Sequence, residues 1–297
     1  MSDQRGGGIT WTEQTWNPLR GCTRVSEGCR NCYAESVAAR FSGPGQPYQG
    51  LARMTPSGPR WTGKVQFVED HLLDPLRWQR PRRVFVNSMS DLFHDSIADQ
   101  QITDIFGVMG LASWHQFQVL TKRPARMLQF LRSGDHGLKA QVKAMMTRGG
   151  IADPLVFKAL DRDRRPRQYP LPNVWLGVSA EDQATADERI PLLLQTPAAV
   201  RWVSAEPLLG PIDFSHDTEV GPLTWLRPFE DCPRVDWVVV GGESGAGARP
   251  MHPEWAQSLQ QQCAAARVPF FMKQLDGKRK ALADFPEALR VREYPNA

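Results

Sequence analysis

The stretch "VWLGVSAED" at 174–182 runs apolar and β-branched and then turns polar at Ser179, Glu181 and Asp182; helical spacing follows at about 184–194. A strand buried on both faces reads as a near-continuous apolar run, and a change to helical period straight after it marks one β/α unit. The same grammar recurs outward in both directions. Strand patterns stand at 83–91 ("RVFVNSMSD"), 117–124 ("FQVLTKRP"), 200–207 ("VRWVSAEP"), 236–244 ("DWVVVGGES") and 269–274 ("PFFMKQ"). Helical patterns stand at about 33–41, 100–113, 124–132 and 254–266, with start signals at Asp99, Pro124 and His252-Pro253-Glu254. Repeated right-handed β/α crossovers build either a barrel or a doubly wound sheet. The single run predicts an α/β fold, a partial (β/α) barrel of about six or seven mainly parallel strands.

Each strand pattern ends in polar or small residues: Ser88, Ser90 and Asp91; Thr121, Lys122 and Arg123; Ser179, Glu181 and Asp182; Ser204 and Glu206; Gly241, Gly242, Glu243 and Ser244; Lys273 and Gln274. Carboxyl ends of parallel strands share one mouth, so these groups are predicted to converge there. Two alternatives stand beside a ligand site. Polar residues mark strand ends in any case, and neighbouring ends can pair as salt bridges, Lys122 with Asp91 or Glu206 with Lys273.

At 297 residues, 41% of them apolar, the chain holds material for a large core, and it is read as a single domain over 1–297. Two segments look inserted: the Gly- and Pro-rich 42–62, and a basic helical segment at 133–172 that would serve as a lid, a nucleic-acid-facing arm or a solvated excursion. A third irregular stretch lies at 208–234. The net charge of +4 is compatible with an anionic partner without requiring one. The start "MSDQRGGGITW" lacks a signal-peptide core and no run is long enough to span a bilayer, which predicts a cytoplasmic protein with no membrane partner.

Three of the five cysteines, Cys22, Cys29 and Cys32, form C-x6-C-x2-C within a loop at 17–36, with Gly21 and Gly28 each directly before a cysteine. Glycine lets backbone curl tightly, and thiolates are soft ligands for zinc, copper(I) or iron–sulfur clusters. A structural zinc takes four protein ligands. Cys232, Cys263, His94 and His252 are the candidates for a fourth; without one, the metal keeps a position for a ligand.

Three cysteines in an N-terminal loop, the aromatic Tyr33 directly after the last, and β/α units with polar strand ends together resemble the radical S-adenosylmethionine (SAM) superfamily. The commonest spacing there is C-x3-C-x2-C, and here the first gap is six. Seven blocks in order look like a phage-associated three-Cys-motif family of unknown function: "TWNPLRGCTRVSEGCRNCYAE", "VFVNSMSDLFHD", "FQVLTKRP", "VWLGVSAEDQ", "RWVSAEPLLGPID", "VVVGGESGAGARPMHPEW" and "VPFFMKQ". The resemblance implies a radical-SAM-like fold and a [4Fe-4S] cluster on Cys22, Cys29 and Cys32, with SAM cleaved to a radical that abstracts hydrogen from substrate.

It places Tyr33 at the adenine of SAM. Ser88, Ser90 and Asp91 stand where the superfamily often has Gly-Gly-Glu for the methionine amino group, and Ser179, Glu181 and Asp182 face the ribose. Lys122 and Arg123 suit the SAM carboxylate or a substrate phosphate. Gly241, Gly242 and Glu243 allow close approach and bring a charge into the mouth, and Glu206 and Lys273 are the candidate catalytic contacts to substrate. An electron donor such as a flavodoxin or ferredoxin, and a separately encoded partner protein, are further implications. So is a nucleic-acid substrate, by analogy with the superfamily's DNA-repairing spore photoproduct lyase. Two other functions fit the residues: a zinc protein that binds nucleic acid without catalysis, and a barrel hydrolase using Glu206 and Glu243 as its acid and nucleophile.

Overall fold

The computed structural model describes residues 9–133, 154–162, 169–218, 221–226, 232–245, 247–275, 277 and 282–296. At its centre is a seven-stranded sheet. Its strands are β1 (Gln14–Trp16), β2 (Arg83–Val86), β3 (Gln116–Thr121), β4 (Val174–Ser179), β5 (Val200–Ala205), β6 (Trp237–Gly241) and β7 (Phe270–Gln274). They lie side by side in chain order, every pair is parallel, and the sheet curls into a half-barrel. Crossovers of one hand, each adding a strand on the same side, produce this order. Around the sheet are α1 (Tyr33–Arg40), α2 (Asp99–Leu111), α3 (Pro124–Ser133), α4 (Pro154–Arg162), α5 (Gln183–Leu194) and α6 (Pro253–Ala266).

The expected α/β half-barrel is therefore present, and all six strand patterns are strands. Two of them stop short of their polar ends, at Val86 rather than 91 and at Gly241 rather than 244, whereas β7 runs through Lys273 and Gln274. The seventh strand, β1, has three residues, too few for a period to register, and pairs Thr15 with Phe85. The 42–62 stretch contains a hairpin, Ala52–Thr55 against Gly58–Trp61, turned at Gly58 with φ +97°. Its Ala52 and Trp61 pack with Ala34, Ala38 and Ala39 of α1. The 208–234 stretch contains a second hairpin, Ser215–Thr218 against Gly221–Thr224. Of the 133–172 insertion, Ser133, α4 and 169–172 are described, and α4 buries Val156 and Ala159. The remainder of that basic segment lies outside the described residues.

Side chains alternate across a strand, so residues two apart share a face. On the concave face this gathers Phe85, Trp175, Trp202, Trp237 and Phe271 with Trp11 of the N-terminal segment into one buried cluster. Trp11 meets Phe85 edge-on at 4.7 Å between centroids and Trp202 at 5.1 Å, geometry that suits the ring quadrupoles. Gly177 makes room for this floor: a Cβ there would lie 2.5 Å from the Trp202 indole. The convex face packs against the helices in a larger core that includes Ile105, Val119, Leu176, Ile190, Val238 and Leu259. Among the described residues no helix is long and apolar enough to cross a membrane.

Candidate functional site

The cysteine loop lies over the carboxyl ends of the strands and is seated by its glycines. Gly21 has φ +93° and forms a bridge with Ser90; a Cβ there would come 2.2 Å from the Lys64 carbonyl oxygen. A Cβ on Gly28 would strike the Glu181 side chain at 2.4 Å. Both glycines before cysteines are thus close-approach positions, as curling around the mouth requires.

Polar ties hold the loop from both sides. Arg24 pairs with the buried Glu35, which also accepts the Trp61 backbone N–H at 2.7 Å. Arg24 donates as well to the Arg30 carbonyl at 2.8 Å. From the far end of the chain, Glu243 accepts from Asn31 Nδ2 at 2.8 Å and from Arg249 Nη2 at 2.6 Å, and Arg249 reaches the Glu27 carbonyl at 2.9 Å.

Beneath the loop is a cavity of about 200 Å³, an order of magnitude more than the ~10–15 Å³ that houses one water. Cys22, Cys29, Cys32, Tyr33, Ser88, Ser90, Asp91, Lys122, Ser179, Glu206, Gly242, Glu243 and Lys273 all line it. The strand ends therefore converge on the three thiols as the sequence predicts. Glu181, Asp182 and Gly241 lie outside the lining. Glu181 is tied to the site through Lys122, whereas Asp182 caps α5, its Oδ1 accepting the Thr185 N–H at 2.9 Å. Gly241 gives room to Glu206, whose carboxyl carbon would sit 3.3 Å from a Cβ there.

Most charged groups of the mouth are paired. Glu206 pairs with Lys273, as one of the two alternatives anticipated. Lys122 pairs with Glu181 rather than with Asp91, and Glu181 is shared with the buried Arg189 at 3.1 Å. Burial alone would raise the Glu181 pKa, but Lys122 and Arg189 outweigh it and hold the carboxyl below its usual range. Asp91 pairs with Arg123 at 3.0 Å and accepts from Thr121 Oγ1 at 2.7 Å and the Lys122 N–H at 3.1 Å. Glu243 is likewise held low, the Arg249 and Asn31 hydrogen bonds overcoming its burial. The serines are structural ties: Ser88 Oγ donates to Asn17 Oδ1 at 3.1 Å and Ser90 Oγ to the Leu19 carbonyl at 3.0 Å. Tyr33 donates its hydroxyl to the Ser88 carbonyl at 2.7 Å.

Burial pushes the Cys22 thiol up to about 12, Asp91 adds to the shift, and Arg123, 4.0 Å from the sulfur, opposes it. Burial also raises Cys32. None of the anticipated fourth ligands lines the cavity. Cys263 is buried in the helical core, Cys232 is exposed, His94 Nε2 contacts Thr23 Oγ1 at 3.0 Å, and His252 stacks near Trp255. Among the described residues no group of three or more His, Cys, Asp or Glu is arranged as a ready site for a metal ion. The three thiols line one cavity without forming such a group.

Sequence reasoning missed Arg24, Asn31, Trp61 and Arg249. Asn31 and Arg249 join the site through partners at the other end of the chain, and Arg24 and Trp61 through the buried Glu35.

Taken as a class, the molecule is an α/β half-barrel whose mouth carries three thiols within a ring of paired charges. The chain belongs to the family described as "Protein of unknown function (DUF5131)", which matches residues 6–291. No curated protein and no solved structure matches it.

Proposed function

We propose that the chain is a radical SAM enzyme. The observation that carries this reading is that Cys22, Cys29 and Cys32 line one cavity at the strand ends, while no histidine and no fourth cysteine among the described residues joins that lining. The donor set fits a [4Fe-4S] cluster, which takes cysteine thiolates and, with three, keeps one iron for a ligand. When bound with SAM, such a cluster supplies one-electron cleavage and hydrogen abstraction.

The remaining roles belong to the chain's own groups. Lys122 lines the cavity and shares the Glu181 carboxylate with the buried Arg189, so its charge is only partly neutralised and suits the SAM carboxylate. The hydroxyl of Ser179 and the backbone around Gly242 are open to the cavity for the nucleoside. Glu206 and Lys273 hold each other across β5 and β7, where they would orient a substrate. Burial keeps protons on the thiols of Cys22 and Cys32. Loading must displace those protons, so uptake strengthens as pH rises.

A hydrolase reading has less support. A glycosidase acid needs a raised pKa, whereas Glu243 is held low and Glu206 is paired with Lys273. Anaerobic reconstitution tests the proposal. Iron and acid-labile sulfide in near-equal amounts, a spectral change on adding SAM, and 5'-deoxyadenosine formation that Cys22→Ala abolishes are expected. Colourless protein loaded with zinc would overturn it in favour of a non-catalytic zinc protein.

A further inference from the structure

Deepening the radical SAM reading, on which only its chemistry rests, we propose that the substrate is a nucleic-acid strand, its phosphates on a basic apron beside the cysteine loop and one base inserted in the half-barrel. Between Glu35 and Glu69 the sequence has no acidic residue but carries Arg40, Arg53, Arg60 and Lys64. Arg53 and Arg60 stand directly opposite each other in the hairpin register, and like charges so placed repel. None of the four takes part in an ion pair among the described residues. The nearest acid in sequence, Glu35, is 1% exposed and consumed by Arg24 and the Trp61 N–H.

Interleaved with these cations are large apolar side chains left in solvent: Tyr33 at 43%, Phe41 at 45% and Met54 at 68% exposure. Cations alternating with open aromatic faces suit a single strand, whose phosphates pair while its bases stack. The apron also leads inward, because Trp61, next to Arg60, lines the cavity.

Inside, polar atoms await a partner. Asn87 is 3% exposed and Ser204 1%, and both line the cavity. Among the described residues neither Nδ2 nor Oδ1 of Asn87, nor Ser204 Oγ, nor Trp11 Nε1 has a hydrogen-bond partner. Buried polar groups are rarely left so unless a ligand or water completes them. Asn87 also holds φ 60°, in the left-handed region. Trp11 and Phe85 offer ring surfaces to an inserted nucleobase, and the Asn87 carboxamide just past β2 and the Ser204 hydroxyl on β5, three strand steps apart, can meet different edges of it. An acidic protein would answer the apron and leave these atoms unanswered, which favours nucleic acid.

The test is fluorescence anisotropy on the iron-free full chain. Its probes are a labelled single-stranded oligonucleotide, the same strand with a central abasic site, and polyglutamate. The intact strand is expected to bind, and to bind more weakly as salt rises. Combining Arg53→Gln with Arg60→Gln should weaken binding about tenfold and flatten the log–log salt slope by about 1.4, from two lost phosphate contacts. Ser204→Ala should weaken the intact strand about 3- to 10-fold, as loss of one hydrogen bond does. It should leave the abasic strand and Tm unchanged. The proposal is overturned if polyglutamate binds as well as the strand, if the salt slope does not move, or if Ser204→Ala weakens the abasic strand as much as the intact one. Failure of the radical SAM reading shows separately, in iron and sulfide content, and leaves these isotherms in place.

Discussion

The concave face of the half-barrel has two storeys made by the same strands. Along β4, Trp175 and Gly177 lie below Ser179 and, just past its end, Glu181; along β5, Trp202 lies below Ser204 and Glu206; along β6, Trp237 and Val239 lie below Gly241 and Glu243. A step of two residues keeps the face and changes the task. The lower storey stabilises by buried area and ring contacts. The upper one is a set of desolvated ion pairs, whose Coulombic gain is largely offset by the loss of hydration, so its worth lies in where it holds charge.

This contrast is open to attack in order of expected effect. Trp237 is fully buried and stacks with or meets edge-on Trp11, Trp175, Trp202, Phe271 and Tyr294. Trp237→Ala should therefore cost about 3–5 kcal/mol in urea unfolding; a loss under about 1 kcal/mol would show that the lower storey is not the stabilising one. Gly177→Ala forces a methyl against the Trp202 indole and should cost about 1–3 kcal/mol, read as a shift of the urea midpoint at constant slope. Replacing both ends of the largely buried Glu206–Lys273 pair together, Glu206→Gln with Lys273→Met, strands neither charge and should change stability by about 1 kcal/mol or less, while 5'-deoxyadenosine formation in the proposed reaction falls. A stability loss for the double variant equal to that of Trp237→Ala would erase the distinction between storeys.

How legible each storey is in the sequence follows from the range of its contacts. The strands announce themselves because both of their faces are buried, and the convergence of their polar ends follows from parallel order alone. β1 escapes because three residues carry no period, and the 52–61 hairpin because Gly and Pro read equally as a loop. Asp182 had a local signal for its actual role, since Thr185 at the third helical position completes a capping box. The serines at 88 and 90 and the ties to Asn31, Arg24 and Arg249 depend on partners elsewhere in the fold. The two glycines before cysteines were legible as tight backbone, but what they approach, Lys64 and Glu181, was not.

The bonds from Glu243 to Asn31 and from Arg249 to the Glu27 carbonyl join residues 212 and 222 positions apart. On a ribosome adding ~5–20 residues per second, roughly 10–40 s separate synthesis of the thiol-bearing loop from synthesis of the groups that clasp it. Throughout that interval the nascent chain presents three cysteines with no clasp over them. Under the proposed cluster reading, a factor that delivers iron and sulfur would meet an unclasped loop during translation and a clasped one afterwards.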